Sequence, residues 1–108
     1  MSALIICVLL TIFFWGPIYH SNPFIKKTLN LSGSTERGNR IFRMNCVGCH
    51  GIEAQGLVGP DLNTATSRLS DIGIINQVVK GLTPPMPSFE IDSQSMADLL
   101  SYMHSLSK

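Results

Sequence analysis

Asn45-Cys46-Val47-Gly48-Cys49-His50 places two thiols three residues apart and an imidazole directly after the second. Residues at that spacing share one side of a helical turn, so both sulfurs can face the same flat ligand. His50, one turn on from Cys46, can then bring its ring beneath that ligand. This is the spacing of c-type haem attachment, in which two thioethers to the vinyl groups and an axial histidine come from five consecutive residues. A thioredoxin-like dithiol would need the same cysteines in a βαβ setting, and no strand alternation is visible. A zinc site would need a second Cys or His pair at ligand spacing, whereas His20 and His104 stand alone and far away. Cys7 lies in a separate apolar stretch, and Cys46 and Cys49 are too close together to close a useful disulfide loop.

An iron held by His50 needs a sixth ligand or an open position. Met44 is too near the attachment site to reach the opposite haem face, and Met96, Met103 and His104 lie on one helical stretch, where Met usually packs in the core. His20 is a further candidate. Met86 differs from these, because it sits in Thr83-Pro84-Pro85-Met86-Pro87. Each proline fixes its own φ and restricts the residue before it. Such a stiff segment loses little entropy when a weak thioether bond forms, so Met86 is the expected ligand. Two protein ligands leave no place for oxygen or substrate, and a thioether favours the ferrous state. That chemistry suits one-electron transfer rather than catalysis.

Three helices must position these groups. The first begins near Ser34 or Thr35, with Gly38, Ile41 and Phe42 at helical spacing, and runs into Cys46. The second covers about Ser70 to Lys80, with Ile72, Ile75, Val78 and Val79 on one side and Gly81 as its stop. The third runs from about Ser93 or Ser95 to Leu106, with an apolar stripe of Met96, Leu99, Leu100, Met103 and Leu106. Loops rich in Gly and Pro, Gly51 to Leu62 and Leu82 to Phe89, connect them. The expected fold class is all-α.

The rest of the chain divides by composition into residues 1–19, 20–33 and 34–108. From Ala3 to Tyr19 there is no charged residue, and a helix over those positions would reach about 25 Å, near the lower limit for crossing a bilayer. Phe13, Phe14 and Trp15 cluster as interfacial residues do. A cleaved secretory signal is the rival reading, but no Lys or Arg precedes the run and no small-x-small site follows it. The expectation is an N-terminal transmembrane helix, or uncleaved signal-anchor, followed by a polar linker over 20–33. The haem body of 34–108 is too small for a strong core of its own, and a haem would fill it. The whole chain carries eight Lys+Arg against seven Asp+Glu, so no basic field exists to hold nucleic acid.

Taken together, the residues of the body from about Glu36 to Leu106 resemble a class I c-type cytochrome, with one haem and a membrane anchor. The likeness extends to Gly38 and Phe42 before the first Cys and to Leu99 and Tyr102 on the last helix. The resemblance implies that these pairs pack where the two helices cross. It implies that Pro60, in Gly59-Pro60-Asp61-Leu62, accepts the His50 Nδ1–H through its carbonyl, and that Leu62 packs on the haem. It implies a propionate contact for Arg68, and Met86-Pro87 followed by Phe89 is similar to the distal-ligand segment. The anchor and the Thr83–Pro87 loop resemble the narrower cyanobacterial cytochrome M group.

The function so implied is electron transfer through one covalent haem c between membrane redox complexes, photosynthetic or respiratory. A fixed haem subunit of an oxidase or reductase is the alternative. A single-pass protein with its haem domain on the periplasmic or thylakoid-lumen side is expected, acting as a monomer or in transient complexes, with an exposed edge ringed by Val58, Leu82, Pro85 and Phe89. Lys26 and Lys27 oppose that orientation, since positive residues beside a span favour the cytoplasm.

Overall fold

The computed structural model describes residues 2–20 and 22–107, with the backbone alone for 17–20. These residues form seven helices and no strand, as the all-α expectation requires.

Helix α1 (Ala3–His20) is apolar on every side, and its side chains from Ala3 to Trp15, Cys7 among them, are all exposed. Such a helix is not shaped to pack by one stripe against a soluble core. The transmembrane helix expected here is not matched. Among the described residues no helix is long and apolar enough to cross a membrane. At 18 residues, α1 reaches roughly 27 Å, short of the roughly 30 Å of bilayer hydrocarbon.

The stretch expected as a polar linker contains a packed helix, α2 (Pro23–Asn30). The Asn22 side chain caps it, accepting from the N–H groups of Phe24 and Ile25 at 3.0 and 3.2 Å, and Pro23 occupies the first turn, where no N–H is needed. Ile25 and Thr28 turn inward toward the last helix while Lys26 and Lys27 face out. Composition concealed this element because only two of its eight residues are buried.

Helix α3 (Thr35–Asn45) is capped by the Ser34 hydroxyl, which accepts from Arg37 N–H at 3.2 Å. It crosses α7 (Ser93–Leu106), whose cap is Asp92 and whose side chains form most of the core. The crossing is close because Gly38 has no side chain: a Cβ there would stand 2.6 Å from the Asp98 carbonyl carbon. Phe42 and Tyr102 pack beside it with ring centroids 5.2 Å apart. The expected pairing of Gly38 and Phe42 with the last helix is therefore present.

Asp98 was not anticipated. Only 2% exposed, it accepts from the Ser34 N–H at 2.7 Å, Arg37 Nε at 3.0 Å and Gln94 Nε2 at 3.0 Å. Burial pushes its carboxyl up, but the Arg37 guanidinium and the Ser34 and Gln94 donors outweigh that and hold it below the ordinary carboxylate range.

Helix α4 (Val47–His50) carries the motif, α5 (Ala65–Arg68) is a single turn, and α6 (Asp71–Lys80) runs from the Ser70 cap to Gly81. Ile74 and Ile75 are the buried residues of α6, and Ile72, Val78 and Val79 are only partly covered. The buried face is thus turned from the stripe expected, and Val78 is left on a cleft wall. His104 Nε2 on α7 meets Asp71 Oδ1 on α6 at 2.7 Å.

Candidate haem site

The cysteine motif forms one tight turn at the end of α3. The Cys46 N–H closes on the Phe42 carbonyl at 2.8 Å, and the His50 N–H on the Cys46 carbonyl at 3.0 Å. Cys49 is exposed and Cys46 half-buried. Burial, and secondarily the neighbouring Cys49, push the Cys46 thiol up to about 11. A redox-active dithiol needs the opposite, a thiol lowered toward neutrality.

His50 is 8% exposed, and its Nδ1–H donates to the Pro60 carbonyl at 2.9 Å. The loop that supplies this carbonyl folds back on the motif: Gly56 N–H reaches the His50 carbonyl at 2.7 Å and Gly59 N–H the Cys49 carbonyl at 2.8 Å. Gly59 lies flat against the ring, since a Cβ there would stand 2.6 Å from His50 Cε1. Asn63 pins the far side of the loop through the carbonyls of Glu53 and Ala54. With Nδ1 engaged, Nε2 is the ring atom left to bind a metal, and the carbonyl strengthens it as a donor.

Leu62 packs partly buried against the core. Arg68 is exposed, and its guanidinium donates to the Asp61 carbonyl at 3.2 Å and the Thr64 hydroxyl at 3.3 Å, so it braces the Pro60–Leu62 segment.

A cleft of about 230 Å³ lies between α3, α6, α7 and the 82–91 segment. Its walls include Ile41, Cys46, Val78, Met86, Phe89 and Leu99. Met86 is thereby brought to the same cavity as Cys46, forty residues away. The loop that carries it is closed by a Met86 N–H bond to the Thr83 carbonyl at 3.1 Å and a Phe89 N–H bond to the Val78 carbonyl at 3.0 Å. Gly81, at φ 57°, lets the chain turn sharply under it; a Cβ there would stand 2.7 Å from the Pro87 carbonyl carbon.

The other sulfur candidates are elsewhere. Met96 and Met103 are buried core residues and Met44 is 74% exposed. His104 is held by Asp71, and the side chain of His20 lies outside the described residues.

Sequence reasoning passed over Gln77. Its Nε2 donates to Met86 Sδ at 3.3 Å, and its Oε1 accepts from the Thr83 hydroxyl at 3.1 Å. A polar pair, Asn76-Gln77, set between Ile75 and Val78 was the available signal. Two thiols, an imidazole with one nitrogen free, and a thioether on an apolar cleft form a donor set that fits a covalently attached haem.

Residues 33–103 match the family model described as cytochrome c oxidase, cbb3-type, subunit III. Over 85 residues, 79% of this chain and 81% of the relative, the chain is 49% identical to the cytochrome c-553-like protein of Synechocystis sp.. Cytochrome c-551 of Bacillus subtilis is 26% identical over 70 residues, 65% of this chain and 62% of that protein. Among solved structures, cytochrome cL of Hyphomicrobium denitrificans superposes with a TM-score of 0.64 at 23% identity. That match covers 82% of this chain but 61% of the larger protein, so here the likeness is one of fold. The family's cofactor is one covalent haem c, its chemistry is electron carriage, and Cys46 and Cys49 form its attachment motif. The chain belongs to the cytochrome c family and has the class I fold.

Proposed function

We propose that the chain carries single electrons between membrane redox complexes, with His50 and Met86 as the two axial ligands and Cys46 and Cys49 as the thioether anchors. The observation that carries this reading is the placement of Met86 and Cys46 on one cleft, together with a His50 ring, four residues on from Cys46, held through Nδ1 by Pro60. A bound haem supplies an iron that alternates between ferrous and ferric states. His50 and Met86 would hold that iron, and Ile41, Val78, Phe89 and Leu99 on the cleft would keep water from the group. Leu62 packs near the haem, and Arg68 either reaches a propionate or steadies the proximal loop through Asp61. With both ligands supplied by the protein, the site would suit a carrier rather than an enzyme.

Purified full-length protein should keep its pigment in acidified organic solvent. Its ferric form should show the weak sulfur-to-iron band at long wavelength, lost in Met86→Ala. Rapid, complete carbon monoxide binding by the reduced wild type would instead indicate an open iron, and hence an enzyme or a gas sensor.

Membrane attachment belongs to the same proposal. Helix α1, apolar on all sides and carrying Phe13, Phe14 and Trp15, inserts into the bilayer, which thins or is bridged by flanking residues to match its length. The haem domain then lies on the periplasmic or lumenal side, confined to two dimensions near its partners. Lys26 and Lys27 belong to α2, which packs on α7, so they travel with the folded body. Val58 and Leu82 are exposed apolar residues of the kind a small, transient docking surface uses. Fractionation of full-length protein should place it with membranes resistant to alkaline carbonate, while release by carbonate would refute the anchor.

A second reading, a fixed haem subunit, is favoured by the matching family model, whose description is that of an oxidase subunit. Co-purification at constant stoichiometry with a larger complex in mild detergent would establish it.

A further inference from the structure

We propose that Ser107, at the C-terminal end of α7, is a positioning residue for His50, acting through Asn63 on the loop that carries Pro60. The inference rests on the reading of His50 as an axial iron ligand. The Ser107 hydroxyl donates to the Asn63 carbonyl at 3.1 Å, so its one proton is committed there. The neighbouring Thr66 hydroxyl must then be the donor of the second contact, to Ser107 Oγ. These two bonds tie Asn63 and α5 to a helix whose Leu99, Leu100, Tyr102 and Met103 are buried in the core.

Asn63 passes that anchorage to both arms of the loop. On one arm its backbone N–H and its side-chain amide reach Asp61 Oδ1 at 2.8 and 2.9 Å. On the other, the same amide meets the carbonyls of Glu53 and Ala54 at 3.2 and 3.3 Å. Ala54 is fully buried and holds φ at 56°, a left-handed conformation that a residue with a Cβ keeps only where its surroundings fix it. The groups that fix its carbonyl are the Leu62 N–H, at 2.9 Å, and the Asn63 amide. Arg68, on α5 with Thr66, holds the Asp61 carbonyl at 3.2 Å. The turn enclosed by this base carries the Pro60 carbonyl, 2.9 Å from His50 Nδ1. Loosening the base lets that carbonyl drift from the ring. The imidazole then becomes a weaker donor, which favours ferrous iron.

The test uses full-length holoprotein and compares wild type with Ser107→Ala, Thr66→Val and Ser107→Thr. In Ser107→Ala the ferrous-to-ferric ratio at a fixed poise should rise roughly two- to fivefold, the partial loss of one hydrogen bond. That corresponds to about 20–40 mV upward for a one-electron couple. Thr66→Val should move the potential part of the way in the same direction. Ser107→Thr keeps the hydroxyl and should leave the potential at the wild-type value. In the ferrous protein, the His50 Nδ1 proton should exchange with solvent faster in Ser107→Ala than in wild type.

An unchanged or lowered potential in Ser107→Ala, or a rise that Ser107→Thr shares, would overturn the proposal. If Ser107→Ala fails to hold haem, Thr66→Val decides: a raised potential supports the proposal and an unchanged one overturns it. Failure of the underlying reading looks different. The His50 ring protons of ferrous wild type would then lack the large upfield shift of an imidazole bound beneath a porphyrin.

Discussion

A side-chain carbon on Gly38 would stand 2.7 Å from the Cβ of Tyr102, sixty-four residues later. The two principal helices of the body meet at that point, backbone against backbone. Gly38→Val should force α3 and α7 apart and cost roughly 2–3 kcal/mol or more, as overpacking of a tight contact does. Urea unfolding checks this, and a midpoint equal to wild type would refute the crossing.

The cleft beside Cys46 presents Ile41, Val78, Phe89 and Leu99, apolar groups that a haem would cover, with Asn45, Glu90, Asp92 and Ser95 also on its walls. Replacing Cys46 and Cys49 together by Ser should abolish covalent pigment. The apoprotein should be largely unfolded, because so small a body buries too little surface of its own. Intact mass and far-ultraviolet circular dichroism measure the two effects, and a well-folded colourless variant would contradict the second.

Gly59 touches the imidazole face. In Gly59→Ala the new methyl would push on a ring whose Cε1 is 2.6 Å from the Cβ position, shifting the Pro60 carbonyl from Nδ1. A destabilisation of roughly 1–3 kcal/mol is expected. A weaker histidine donor should also raise the potential. Thermal unfolding and redox titration of the holoprotein report the two effects separately.

Asp98 makes the α3–α7 crossing sensitive to acid. Its folded carboxyl lies below the ordinary value, so the unfolded chain binds the proton first as pH falls. Its contribution is therefore complete above about pH 4, the unfolded value, and declines as pH drops through the folded one. Asp98→Asn should lose roughly 1–3 kcal/mol at pH 7, since it gives up the charge facing Arg37. The gap between variant and wild type in denaturant midpoint should narrow toward pH 3. A gap independent of pH would exclude the ionised carboxylate as the stabilising group.

The linker over 20–33 shows how the sequence and the fold part company. Its polar composition is genuine, yet Gln94 Nε2 reaches the Ser32 carbonyl at 3.0 Å and Asp98 takes the Ser34 N–H. Both bonds span more than sixty residues, and no local pattern announces them. The apolar head was legible as a helix, but at 18 residues it falls short of a full span.

What the sequence determined by itself was whatever depends on near neighbours: the Cys46–His50 attachment turn, the Ser34 and Ser70 caps, the stop at Gly81 and the all-α class. These follow from backbone geometry over three or four residues. Only the tertiary structure brought Met86 to the cleft while burying Met96 and Met103 in the core, and set Gln77 against the Met86 sulfur. Those outcomes depend on how α6 and α7 pack around one cavity. The proline-rich setting singled out Met86 among the methionines, but only packing decides which residues share its cleft.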